Sequence, residues 1–336
     1  MKQNCIYLVA IAIIASLLSS CHNGGEKPAD QEKVLDHLVF EELCYSGTQR
    51  PATGGGSTLY EEDHYLKIAN PTDEAIYLDG MGIAISGISA IKNVNMPEGT
   101  DFSETHFCAG TLLRFPGEVG GTKYPIKPKS SVLLATVAHN HTIPGGDDPE
   151  DAWHWNKNSM DLSKADFEWA TPEQIEYAYD DEILDNPDVP NLRQLYPDGI
   201  RSNNSILMDG YAIALIKFPK ELTDEAILLQ KEDNPYFWGY TFTTDDQGGG
   251  HSHGGKRLFG VKIPYSMVVD AVQLSTKISQ YRIKAVDKGC TSIYESNKDN
   301  IFPRSVFRKF DGLKFVDDDD SSTDFEVREA SLAPKS

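Results

Sequence analysis

What this chain lacks narrows its chemistry before any motif is read. It has no Gly-x-Ser-x-Gly elbow, no His-Glu-x-x-His pair and no Gly-x-x-x-x-Gly-Lys-Ser/Thr phosphate loop, so the commonest hydrolase, zinc-protease and nucleotide-binding signatures are missing. Basic residues are scarce, 31 against 51 acidic ones, for a net charge of −20. A surface of that sign repels phosphate backbones, which excludes nucleic acid as a partner class. Cysteine is sparse, five in 336 residues, with no Cys-x-x-Cys pair for zinc or redox work. Long apolar runs are almost absent; the one of note, Ile6 to Leu18, is too short to span a bilayer comfortably. With 51 acids, a carboxylate-pair glycosidase stays open. The expectation is a binding protein and not an enzyme.

That apolar run follows Met1 and Lys2 and ends in Leu18-Ser19-Ser20-Cys21, a small-residue boundary that resembles a bacterial lipoprotein cleavage site. Residues 1–20 therefore read as a signal peptide and Cys21 as the lipidated first residue of the mature chain. More than one acyl chain on Cys21 makes anchoring stable, so the partner is the lipid bilayer and the expected place is the outer membrane. Whether the protein faces the cell surface or the periplasm stays open. Residues 21–36 are polar and rich in turn formers, a flexible tether. Cys44, Cys108 and Cys290 remain after it, allowing one disulfide of unspecified pairing outside the cytoplasm.

Beyond the tether the chain breaks into strand-length apolar segments. LVFEELCY, HYLKIA, AIYLDG, GIAIS, SVLLATV, YAIALIKF, LFGVKI, MVVDAVQL and SVFRKF are separated by Asn-Pro, Asp-Gly and Pro-Gly turns. Several alternate with period two, as Leu66 with Ile68. The expected fold class is mainly β, a sandwich enlarged by long loop insertions, with one or two short helices. Thr171-Pro172-Glu173-Gln174 reads as one helix start and Thr223 as another. The domain is expected to run from 37 to 327, with 328–336 as a tail. Residues 140–204 read as an excursion from the sheets, 241–257 as a loop between two strands, and Asp317 to Asp320 as a solvated charge run.

Three stretches carry a family resemblance. YLKIANPTDEAIYLDGMGIAI, residues 65–85, resembles the lamin-tail-like signature, with Asn70, Pro71, Leu78 and Gly80 at its turn positions. IKPKSSVLLATVAHN resembles the proline turn and apolar strand of that pattern, and IPYSMVVDAVQL its aspartate-bearing strand. Together with the lipoprotein start, DLSKADFEW, NPDVPNL and SVFRKF, the chain is similar over residues 38–326 to a Bacteroidota lipoprotein family, domain of unknown function 4876. That resemblance implies an immunoglobulin-like, lamin-tail-like β-sandwich on an outer-membrane lipoprotein, of binding or accessory type, and no catalytic residue.

Candidate site residues come from the loops. His251 and His253, flanked by glycines and preceded by Asp245 and Asp246, have the residue types for a transition-metal ion. The plainer alternative is a polar loop with incidental histidines. His139, His141 and His154, with Trp153 and Trp155, form a second cluster suited to a metal or another ligand, or to a solvated loop. The two tryptophans also suit stacking on a sugar face, or pinning the insertion to the core. The function expected is capture or uptake of a nutrient, a metal or metal complex being the most concrete guess, alongside an outer-membrane receptor. The alternatives are a structural or adhesion surface protein and a glycan-binding protein.

Overall fold

The computed structural model of the chain describes residues 35–51, 57–60, 62–91, 98–99, 101–143, 155–169, 185–196, 209–228, 233–242, 256–280, 283–294 and 303–334. Cys21, the signal segment and the helix start at Thr171 lie outside these residues. No described helix is long and apolar enough to cross a membrane.

Apolar strand residues pack two sheets around a shared core, and in the strand Ala212–Ile216 every residue is buried, so both of its faces are covered. The six-stranded sheet runs β10 (Phe167–Glu168), β9 (Ser130–Ala135), β4 (Tyr65–Asn70), β1 (Val39–Cys44), β16 (Arg304–Arg308) and β17 (Phe325–Glu329). The seven-stranded sheet runs β13 (Phe237–Phe242), β14 (Lys256–Pro264), β7 (His106–Arg114), β6 (Gly82–Ser86), β12 (Ala212–Ile216) and β15 (Val268–Gln273), with β11 (Arg193–Tyr196) pairing β7. Two small ladders complete it, β2 (Thr48–Pro51) with β3 (Ser57–Tyr60) and β5 (Ile76–Tyr77) with β8 (Pro125–Ile126). Phe40, Leu66, Ile68, Leu134 and Val306 of the first sheet share one core with Ile83, Leu113, Ile213, Leu215 and Val272 of the second. Burying each contributes about 1.5–3 kcal/mol. A mainly β sandwich is what the strand pattern predicts.

A charged contact also joins the sheets. Arg308 on β16 donates from Nη2 to both oxygens of Asp270 on β15, at 2.8 and 2.7 Å, and from Nη1 to Asp317 at 3.1 Å. Its Nε donates to the Phe40 carbonyl, and the Phe40 N–H donates to Asp270 at 2.6 Å. Burial works against the guanidinium charge, but the carboxylates of Asp270, Asp317 and Asp324 raise its pKa. The charge run is thus not wholly solvated: Asp317 is buried in this cluster, and Asp320 caps the short helix α2 (Ser321–Asp324).

Three further readings change. The excursion 140–204 supplies a strand to each sheet, β10 parallel to β9 and β11 antiparallel to β7. The 241–257 loop is shorter, because Thr241 and Phe242 pair with Arg257 and Lys256 in the β13–β14 hairpin. Past position 327, β17 continues on β16 to Glu329, and Ser331 donates from N and Oγ to the buried Glu42 carboxylate. The helix expected at Thr223 is α1 (Asp224–Leu228), with the Thr223 hydroxyl accepting from the Ala226 N–H. No disulfide joins Cys44, Cys108 and Cys290.

Candidate functional site

The Asn-Pro and Leu-Asp-Gly turns of residues 70–80 place two loops beside each other. Asn70 Nδ2 donates to the carbonyls of Glu74 and Ile126, closing the first turn. Asp79 then accepts from the N–H groups of Lys123 and Tyr124, at 2.9 and 2.7 Å, and holds the 116–124 loop in place. Gly80 has φ +66°, and a Cβ there would lie 2.6 Å from the Val119 nitrogen. Only glycine lets the loop lie so close to the turn. Across from it, the segment leaving β12 carries Phe218, seated over Gly82; a Cβ on Gly82 would come within 2.7 Å of the ring.

Between these loops are two adjoining chambers. The first, of about 700 Å³, has apolar walls from Leu38, Ile76, Met81, Phe218 and Val269, with His37, Lys217 and Asp79 among its polar groups. The second, of about 850 Å³, is lined by Arg114, Arg193, Glu118, Asp224, Asn191 and Thr223. Val119 and Lys220 line both. These volumes suit small ligands, and apolar walls with a few fixed polar groups are the usual composition of such sites.

Arg114 links the chambers. Its guanidinium lies 4.8 Å from the centroid of the Phe218 ring, whose atoms wall the first chamber. Arg114 and Arg193 stand directly opposite each other in the β7–β11 ladder, an unfavourable placement of like charges. One carboxylate answers both: Asp224 Oδ1 accepts from Arg114 Nη1 and Oδ2 from Arg193 Nη2. Arg114 is 9% exposed, and its Nε and Nη2 are buried with no acceptor among the described residues. Burial, then repulsion from Arg193, pushes its pKa down to about 10, so it stays charged at neutral pH. At the rim of the first chamber, His37 sits 3.3 Å from Asp317, which raises the imidazole pKa and joins the chamber to the Arg308 cluster.

Of the histidines singled out in the sequence, His139 and His141 lie among the described residues, away from this cleft. His139 and His141 meet edge to face with ring centroids 5.6 Å apart. His141 is fully buried; Nε2 contacts the Val137 carbonyl at 3.0 Å and Nδ1 the Tyr60 hydroxyl at 2.5 Å. Nearby are two residues that sequence reasoning passed over. Asp63 accepts from the hydroxyls of Ser159 and Thr48, and burial pushes its pKa up to about 7. His64 is 2% exposed with neither ring nitrogen hydrogen-bonded, and burial, with a smaller contribution from His141, pushes its pKa down to about 3. Nothing in GluGluAspHis at 61–64 distinguishes it from an ordinary polar turn. Among the described residues no group of three or more His, Cys, Asp or Glu is arranged to hold a metal ion. Trp155 is half-buried with its indole Nε1 unpartnered. His251, His253, Asp245, Asp246, His154 and Trp153 lie outside the described residues.

A family model described as a protein of unknown function (DUF4876) matches residues 127–331. A crystal structure of a DUF4876 family protein from Bacteroides thetaiotaomicron VPI-5482 is similar in fold, with a TM-score of 0.63. It is 22% identical, over 90% of this chain and 72% of that one. No curated protein matches.

Proposed function

Given that this chain belongs to the DUF4876 family, we propose that it is a lipid-anchored binding protein of the outer membrane, with its ligand held in the cleft shared by Val119 and Lys220. The observation that carries this reading is the cleft itself. Two chambers meet between a glycine-bearing loop and the segment after β12, with apolar walls in one and arginines in the other. Loops between rigid strands are where binding residues concentrate, because the sheets hold the site while the loops vary. Cys21 supplies the anchor, residues 22–36 the reach, and the cleft the capture of a nutrient for an outer-membrane receptor.

The test is retention of small molecules. A soluble form of the protein starting after Cys21 is incubated with growth-medium extract, desalted and analysed by native mass spectrometry. A Val119→Trp variant, which fills the junction between the chambers, runs beside it. The reading expects a bound species on the parent that the variant lacks. A parent that retains nothing, or a variant that retains the same species, contradicts it.

A further inference from the structure

We infer that the second chamber is an anion subsite, and that the ligand is an amphiphile whose carboxylate or phosphate group meets Arg114, Arg193 and Lys220 while its apolar body lies against Phe218 in the first chamber. This rests on the cleft being the binding site.

Three observations lead to it. The chamber lining holds three cations and two carboxylates, Glu118 and Asp224, so its local charge opposes the chain's −20. A positive pocket on an acidic protein is not explained by solubility and attracts anions selectively. Second, Arg114 and Arg193 are cross-strand neighbours that share the single hydrogen-bonded carboxylate Asp224, while Glu118 acts on Arg114 through space and Lys220 adds a third positive charge. Placing like charges opposite each other costs stability unless a counter-charge arrives. Third, Arg114 keeps two guanidinium nitrogens without acceptors among the described residues although it is nine-tenths buried. Buried donors left unsatisfied are rare and mark strain or an absent partner. A guanidinium fork matches the two oxygens of a carboxylate or phosphate, so rotating one arm onto such a group would satisfy those donors. The head group and body are then joined through geometry already present, because the Arg114 guanidinium lies on the Phe218 ring.

The experiment is calorimetric titration of the same soluble form with octanoate, octyl phosphate and octanol. The same titrations are made on an Arg193→Gln, Lys220→Gln double variant. Both altered side chains are exposed, so the fold should be retained, as a circular dichroism melt will verify. The expected result is at least one anion bound about tenfold more tightly than octanol, the effect of one or two charge-assisted hydrogen bonds. In the variant that preference should fall to within about threefold. Whichever anion keeps the advantage identifies the head group as carboxylate or phosphate. Equal binding of octanol and both anions by the parent overturns the anion subsite while leaving the cleft reading intact. An undiminished preference in the variant overturns its placement at these residues. Failure of all three probes to bind overturns the amphiphile, whereas the cleft reading is tested separately, by whether Val119→Trp releases a molecule that the parent retains.

Discussion

His64 carries two ring nitrogens into the interior and bonds neither, 2% exposed beside the buried His141. Leaving a buried polar group unsatisfied costs about 1–3 kcal/mol. Its protonation adds a pH dependence. In the unfolded chain the ring takes a proton near 6.5, whereas in the fold burial delays this to about 3. The unfolded state therefore binds more protons between those values. The stability this represents is complete above pH 6.5 and drains as the pH falls toward 3. Asp63 works the other way: its raised pKa, about 7, makes the fold lose stability as pH rises from about 4 to 7. Comparing a His64→Leu variant with the parent separates the two, because Asp63 is common to both. Thermal and urea melts should show the variant more stable at pH 7 by about 1–3 kcal/mol, with the gap widening as the pH drops below 6.5. Parallel stability curves would contradict this account. None of it was legible in the sequence, where His64 was read only as the head of the strand segment HYLKIA and Asp63 drew no reading. Asp270 and Arg308 were visible only as an aspartate-bearing strand and SVFRKF; that they pair across 38 residues is a product of the fold.

At the scale of elements, the sequence identified the strands that alternate cleanly. All nine segments picked out by period and punctuation contain strands, including β1, β4, β6, β9, β12 and β15. It missed β7, the strand that pairs with β6, β14 and β11. The reason is local: HFCAGTLLR has a glycine at its centre, and Gly110 is there because a Cβ would meet the Gly87 Cα at 2.5 Å. A strand that must pass a neighbour's backbone so closely gives up side-chain signal for fit. β10 and β11 were hidden inside a polar, proline-broken stretch because they are only two and four residues long. The turn chemistry was read correctly, yet its purpose appeared only when Asp79 and Gly80 were seen to seat the 116–124 loop. Gly82 has the matching role on the other side. A Gly82→Ala substitution must push the Phe218 ring off its seat, since the new carbon would lie 2.7 Å from it. Overpacking of this kind costs about 1–3 kcal/mol. Equilibrium unfolding should show that loss, and ligand retention by the cleft should weaken with it. An unchanged melt would mean that the ring has room to move.

For the whole molecule, the cleft depends on residues spread from His37 to Val269, and this dispersion is why the sequence could not announce it. Arg114 and Arg193 belong to no motif, and an acidic chain gives no reason to single out two arginines 79 positions apart. The histidine pairs drew attention because metal-binding residue types are recognisable alone; a cleft built by register and loop contact is not. The sandwich supplies rigidity through its shared core and the Arg308 cluster, and the loops at one side supply the site. The central claim is that this cleft receives the ligand. Methyl-resolved NMR addresses it most directly, with the small-molecule fraction of growth medium added to protein labelled at Val, Ile, Leu and Met methyls. The account predicts shifts concentrated at Val119, Met81, Ile76 and Val269, with core methyls such as Ile68 and Leu134 unmoved. An unchanged spectrum, or shifts gathered at a distant surface, would contradict it.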